Sequence, residues 1–276
     1  MSGPLLSLTA GLAVSLAGTI APDPSASQQP THRAGARTAS EAAADRIRVG
    51  YHRPSPGSRQ LAPGQDAAPV PFPHPLITEV LYAVPSDKED PAVGDANLDG
   101  SRHATGDEFI ELTNPHDQPI NLANYALEDA APANASSRFR FLFPDITVPP
   151  GRTVVVFNGV KQTFTGPVGT ETQGPPSTDR RFHYAAVFNA QAKSTRTGFS
   201  NAVDAVRLID PLGQTVTWIA WGKLDQTPPR DTIWAPEVAK ARDGSITLDP
   251  VSVSFVPHAA SDGVRYSPGE PFPFHE

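Results

Sequence analysis

The run GDEFIELTNPHDQPINLANYALEDA, residues 106–130, decides how this chain folds. Two strand-like stretches, residues 108–114 and 120–128, flank a short polar connection, PHDQP at 115–119. In the first stretch Ile110 and Leu112 share one face and Phe109, Glu111 and Thr113 the other, the period of two that side chains follow along a strand. The Ile110 face is expected to point into a core, and a register slip of one residue would bury Glu111 instead. Tyr125 and Leu127 repeat the alternation in the second stretch, where Leu122 anchors the start. Downstream, FRFLFPDITVPPGRTVVVFN (139–158) adds a Pro-Pro-Gly turn that feeds the β-branched run 153–157. Runs of this kind, bounded by Pro, Gly and Asn, are strand signals. Upstream, LITEVLYAV (76–84) reads as the first core strand.

The remaining chain keeps the same rhythm with one interruption. AVRLID (205–210), a Pro211-Leu212-Gly213 turn and QTVTWIAWG (214–222) form a hairpin signal. Strict alternation there puts Val216, Trp218 and Ala220 on one face and Thr217, Ile219 and Trp221 on the other. Residues 245–249 and 251–256 are the last strand candidates. Between 159 and 200 the rhythm breaks at Gly-Pro pairs, the basic pair Arg180-Arg181 and an aromatic island, FHYAAVF (182–188), so this segment is expected as a long insertion between strands. No helical periodicity of useful length occurs. The expected fold class is all-β, with a body over 76–262 and an extended tail over 263–276.

Five blocks in order carry a family resemblance: LITEVLY (76–82), DEFIELTNP (107–115), INLANYALED (120–129), FPDITVPPGRTVVVFN (143–158), and GFSNAVDAVRLID (198–210) with GQTVTWIAWG (213–222). This succession resembles the lamin-tail domain, an immunoglobulin-like β-sandwich of nuclear intermediate-filament tails and of many secreted bacterial proteins. The family usually carries Trp after INLAN; here Tyr125 keeps an aromatic anchor. The resemblance implies an immunoglobulin-like β-sandwich of the secreted bacterial type and a non-enzymatic binding or adhesion module, since bacterial relatives accompany secreted nucleases and other hydrolases.

Composition narrows the possibilities further. The 276 residues are 38% hydrophobic, enough for one sizeable core and low for two. Proline, 31 of the residues, is about twice its usual share of roughly 5% and concentrates near the ends. Residues 28–75 are rich in Pro, Ala, Ser and Gln, and are expected to form a disordered linker, because they cannot bury enough apolar area to offset the entropy of ordering. Before them, LLSLTAGLAVSLAGTIA (5–21) ends in small residues and reads as an export signal over 1–27, although MSGP ahead of it has no basic residue. The alternatives are a short uncut anchor or a mis-assigned start; no other segment offers a transmembrane span. The localisation expected is secreted or cell-surface.

A formal charge of -7 argues against generic nucleic-acid binding, which depends on Lys and Arg neutralising phosphates. The absence of cysteine rules out disulfides, Cys-ligated zinc, iron-sulfur clusters and thiol catalysis. The partner that the resemblance implies is a protein or glycan surface ligand of unknown identity.

The strongest chemical motif is the acidic loop Asp95-x-Asn97-x-Asp99-Gly100-Ser101. Calcium takes six to eight oxygen ligands, and alternate carboxylate and amide side chains converge when glycine permits a sharp turn at the sixth position. The second half departs from the EF-hand pattern, with Gly106 where the bidentate Glu would stand. The candidate metal ligands are therefore Asp95, Asn97, Asp99, Ser101 and the more distant Asp107, for Ca2+ between strands; a solvated acidic loop is the alternative. The same acids from Asp95 to Glu108, with 159–200 as a lid, would serve a metal-dependent hydrolase. Asp107 and Glu108 are adjacent, however, and adjacent positions on a strand face opposite ways.

Other motifs are weaker. The eight histidines form no His-Glu-x-x-His. Gly198-Phe199-Ser200-Asn201-Ala202 is the nearest approach to a nucleophile elbow. Arg180-Arg181-Phe182-His183-Tyr184 mixes basic and aromatic residues as single-strand nucleic-acid grooves do, which leaves nucleic-acid binding as a third reading. Trp218, Trp221 and Trp234 form either a sugar-stacking surface or core, and Asn134-Ala135-Ser136 is a glycosylation sequon.

Overall fold

The computed structural model describes residues 74–87, 90, 92–131, 138–190, 198–226, 233–238, 243–250, 254–261 and 263–273. The expected leader (1–27), almost all of the expected linker and the Asn134 sequon lie outside these residues. Among the described residues no helix is long and apolar enough to cross a membrane.

Among the described residues thirteen strands account for the fold. They are β1 (Leu76–Ala83), β2 (Phe109–Thr113), β3 (Ile120–Asn121), β4 (Ala126–Asp129), β5 (Arg140–Leu142), β6 (Thr147–Val148) and β7 (Thr153–Phe157), then β8 (Ala186–Asn189), β9 (Asp204–Ile209), β10 (Thr215–Trp221), β11 (Ile233–Val238), β12 (Gly244–Asp249) and β13 (Ser254–Pro257). One sheet has the order β13-β12-β1-β2-β7-β8 and the other β11-β10-β9-β4-β5, while β3 and β6 form a two-stranded ribbon. Neighbours are antiparallel except at β7–β8 and β10–β11. Outside the sheets lie a 3-10 turn at Arg180–Phe182 and a helical turn at His258–Ser261.

The all-β expectation therefore holds, and the core is the space between the two large sheets. Ile77, Ile110, Leu112, Val154 and Val156 project from the first sheet and meet Leu127, Phe141, Leu208, Ile219 and Trp221 from the second. Tyr125 is 2% exposed in the same core, as its alternation requires, and its hydroxyl lies 2.6 Å from His74 Nδ1. Among the described residues Trp221 is the largest sealed side chain: its indole stacks on Tyr82 with centroids 4.1 Å apart, and its Nε1 donates to the Ser200 carbonyl at 2.7 Å.

Strict alternation fails at three places, each for a local reason. The stretch 120–128 is two strands, because Asn121 Oδ1 accepts the Ala123 amide at 2.7 Å and Asn124 turns left-handed at φ 65°. The first half then pairs with β6 and the second with β9 and β5. In β10 a register shift between Thr215 and Thr217 sends Val216 to the core side with Ile219 and Trp221, while Trp218 and Ala220 face out. In β1 a shift between Ile77 and Glu79 leaves Thr78 and Glu79 both beside Glu111.

The largest departure concerns the outer face of the first sheet, which is buried along the whole of β2. Within the expected insertion, 159–200, the described residues 159–190 supply β8 and lay Phe182 and Ala185 over Phe109, Val155, Phe157 and Val187. The C-terminal residues 263–273 run on across the same face. Gly269 is left-handed at φ 88°, and a Cβ there would stand 2.3 Å from the Phe182 carbonyl oxygen. Gly269→Ala is therefore expected to lower stability by about 1–3 kcal/mol, read as an earlier urea midpoint with unchanged slope.

Candidate functional site

The acidic loop forms where β1 ends and the chain turns back toward β2. Leu98 takes φ 58° and Gly100 φ 92°; open space surrounds Gly100, so its backbone conformation rather than crowding calls for glycine. Side chains hold this shape through backbone amides. Asp95 Oδ1 accepts from Asp99 N at 3.1 Å and Oδ2 from Gly100 N at 2.9 Å, while Asn97 Oδ1 accepts from Asp99 N and Asp99 Oδ1 from Ser101 N, both at 2.9 Å. Asp107 closes the loop from beneath: Oδ1 accepts from Asn97 N at 3.1 Å, and Oδ2 from His103 N at 2.6 Å and Gln162 Nε2 at 2.9 Å. Tyr266 Oη receives the Gly94 amide at 3.1 Å, and Arg102 reaches the Val84 carbonyl at 2.9 Å.

Asp95, Asn97 and Asp99 thus share one turn, Asp107 lies under it, and Ser101 follows on the exposed side. Burial pushes the Asp107 carboxyl up to about 6 against three hydrogen bonds that lower it, with the Asp95 charge adding to the rise. Among the described residues no group of three or more His, Cys, Asp or Glu side chains is placed to hold a metal ion. Asp107 and Glu108 lie in the turn ahead of β2 rather than on the strand, and they diverge all the same: Glu108 Oε2 accepts from Phe199 N at 3.1 Å and Asn158 Nδ2 at 3.3 Å, away from the loop. Burial holds the Glu108 carboxyl well above the usual range.

A second polar constellation escaped sequence reasoning. Glu79 and Glu111 face each other across β1 and β2 on the covered outer face, 2% and 3% exposed. Ser245 Oγ donates to Glu79 Oε1 at 2.5 Å, His258 Nδ1 lies 3.0 Å from the same oxygen, and Ser267 N donates to it at 3.1 Å. Thr78 Oγ1 donates to Glu111 Oε1 at 2.6 Å and Gly269 N to Oε2 at 2.7 Å. Burial, then the charge of Glu79, raises the Glu111 carboxyl well above the usual range. Ser, His and Glu are the residue types of a nucleophile relay. Here, however, Ser245 Oγ and Glu79 Oε1 both meet His258 Nδ1, and all three residues are buried, so the arrangement fastens the C-terminal segment. The matched Glu positions on β1 and β2 were the available signal; nothing in their spacing announced a cover from residues 245–269.

The basic-aromatic island is divided. Arg181 pairs with Asp179 at 2.6 Å, which holds that carboxyl below its usual range, and Phe182 is buried. Tyr184, at φ 65°, is 53% exposed. Trp218 and Trp221 are buried, and the side chain of Trp234 lies outside the described residues.

Two face-packed, mainly antiparallel sheets with a polar loop at one end define an immunoglobulin-like β-sandwich domain. The lamin tail domain family model matches residues 73–223, and the chain belongs to that family. The match runs from just before β1 to just past β10, so Glu79 and Glu111 fall inside it and their cover falls after it. No curated protein matches the chain.

Proposed function

We infer that the chain is a non-enzymatic binding module of lamin-tail type that acts outside the cell or at its surface, on a protein or glycan ligand. The observation that carries this reading is the acidic loop: a polar surface element fixed in shape by its own amides and fastened to the sandwich through Asp107 and Tyr266. Preformed loops on a rigid scaffold are where binding is commonly placed. Export follows from the apolar run over 5–21, and secretion of the full chain with loss of residues 1–27, read by intact mass, tests it.

We propose calcium as the cation for this loop. Asp95, Asn97 and Asp99 alternate ahead of a left-handed Gly100, and each of their oxygens that accepts an amide keeps a lone pair. Asp95, Asn97, Asp99, Ser101 and Asp107 would hold the ion, and it would supply a fixed positive charge at the loop. Calcium at a hundred times its dissociation constant stabilises the folded chain by about 2.7 kcal/mol. The melting temperature is therefore expected to climb and saturate with millimolar calcium, and Asp99→Ala should abolish the climb. A flat response at millimolar calcium removes the ion from this reading. Release of product from phosphodiester or glycan substrates, abolished by the same substitution, would replace the module with a hydrolase.

A further inference from the structure

On the outer face of the second sheet, the registers of β5, β4, β9 and β10 bring Arg140, Glu128, Arg207 and Trp218 into one row. Arg138, two residues ahead of Arg140, reaches the same carboxylate. Glu128 Oε2 accepts from Arg207 Nη2 at 3.0 Å and from Arg138 Nη2, and Oε1 from Arg140 Nε at 3.2 Å. Three guanidinium groups meet the Glu128 carboxylate, and with the Asp129 carboxylate counted beside Arg138 one positive charge remains in excess, in a chain whose formal charge is -7. Asp129 feels the charge of Arg138, but its oxygens accept from Ala131 N at 3.0 Å and Phe139 N at 2.7 Å.

The row is graded in exposure. The Arg140 side chain, on edge strand β5, is 57% exposed, those of Arg138 and Arg207 are 18% and 21% exposed, and Trp218 is sealed beneath Arg207, whose guanidinium carbon lies 5.2 Å from the ring centroid. Arg138 Nε, Arg207 Nε and Trp218 Nε1 are shielded from water and meet no acceptor. Buried donors without a partner are rare in native proteins, and an ion, water or ligand is the usual complement. All three are N–H groups, and two belong to cations of a cluster with one positive charge in excess. A water would satisfy the donors and leave the charge; an oxyanion answers both.

We propose that this face binds an oxyanion, the carboxylate or sulfate group of an acidic ligand, through Arg138, Arg140 and Arg207, with Trp218 Nε1–H as a further donor. Arg140 forms the entrance, and small rotations of the two inner guanidinium groups bring their Nε–H bonds onto the anion. The fork of paired donors suits such a group better than a point charge does. The site goes beyond the binding-module reading in naming the chemistry of the ligand, and it lies on a different sheet from the acidic loop's anchor strands.

The test is a titration of the full chain followed by NMR of the Arg Nε–H and Trp Nε1–H resonances, with sodium sulfate, sodium polygalacturonate, and sodium chloride at matched ionic strength. Sulfate is expected to shift the Arg138, Arg207 and Trp218 resonances saturably, and chloride not to. Arg140→Gln, at an exposed position, should weaken binding by on the order of tenfold while melting stays unchanged. Glu128→Gln, which removes the internal competitor, should tighten it; if that variant does not fold, Arg140→Gln decides alone. Polygalacturonate that shifts the same resonances assigns the anion to a glycan, and sulfate acting alone assigns it to a small ion; both uphold the site. The absence of a saturable response in a folded chain, or a response unaltered by Arg140→Gln, overturns it and leaves the module reading to its own test.

Discussion

Trp221→Ala is expected to destabilise the domain by about 3–5 kcal/mol, the range for deleting a sealed aromatic side chain. Three losses combine at this position. The indole leaves a cavity between the sheets, Tyr82 loses the ring stacked at 4.1 Å, and Phe199 loses its edge contact at 5.8 Å. The Ser200 carbonyl also loses the Nε1 donor that ties the 198–204 segment to β10. For a domain of this size each kcal/mol moves the melting temperature by about 2–4 °C, so a fall on the order of 10 °C is expected by calorimetry. Trp221→Phe keeps a ring against Tyr82 and should cost clearly less. Equal costs for the two variants would show that the stack is not what locks the sheets.

The second large effect is an inverted dependence on pH. A carboxyl whose folded value is raised keeps its proton in the folded chain where the unfolded chain has released it. Its contribution is full below the unfolded value, near 4, and is lost as pH rises toward the folded value. Asp107, raised to about 6, is lost between about 4 and 6, and Glu108, Glu111, Asp129 and Asp204 are raised in the same direction, chiefly by burial. His103 opposes them: burial, then Lys161 and Arg102, lowers it, so its contribution is lost as pH falls through the ordinary His range. Five carboxyls outweigh one half-exposed imidazole, and the melting temperature should be higher near pH 5 than at pH 8. Glu111→Gln should flatten the profile and raise stability at pH 8 by about 1–3 kcal/mol, because Gln still accepts from Gly269 N and offers an N–H to Thr78 without being able to ionise. A profile that instead climbs steadily from pH 5 to pH 8 in both proteins would contradict the buried, protonated state of Glu111.

The strands were legible wherever alternation and turn residues agreed. Ile110, Leu112, Tyr125 and Leu127 occupy the core as their spacing requires, and the order of blocks from 76 to 222 marked the family. Long-range cover was not legible. Glu111 looked like a solvent-facing residue because period-two alternation reports which face a side chain takes, and says nothing about what a segment 158 residues later lays over it. The bulge that turns Val216 inward left no mark either, since Thr215, Val216 and Thr217 are all good strand residues. In the acidic loop the pattern of Asp95, Asn97 and Asp99 predicted the turn, while Gln162, which ties Asp107 from the far side of β7, has no local signature. The arginine row is of the same kind. Arg138, Arg140 and Arg207 stand as isolated charges in the sequence and become neighbours only when β5, β4 and β9 pair.

Native-state hydrogen exchange on the full chain distinguishes a sandwich sealed on both faces of its first sheet from one with a loose end. The amides of Ser267 and Gly269 should be protected together with those of Ile110–Leu112 and Val154–Val156, since they donate to carboxylates buried on that sheet. Rapid exchange of 267 and 269 beside slow exchange in β2 and β7 would mean that the outer face stands open and that Glu79 and Glu111 belong to the surface.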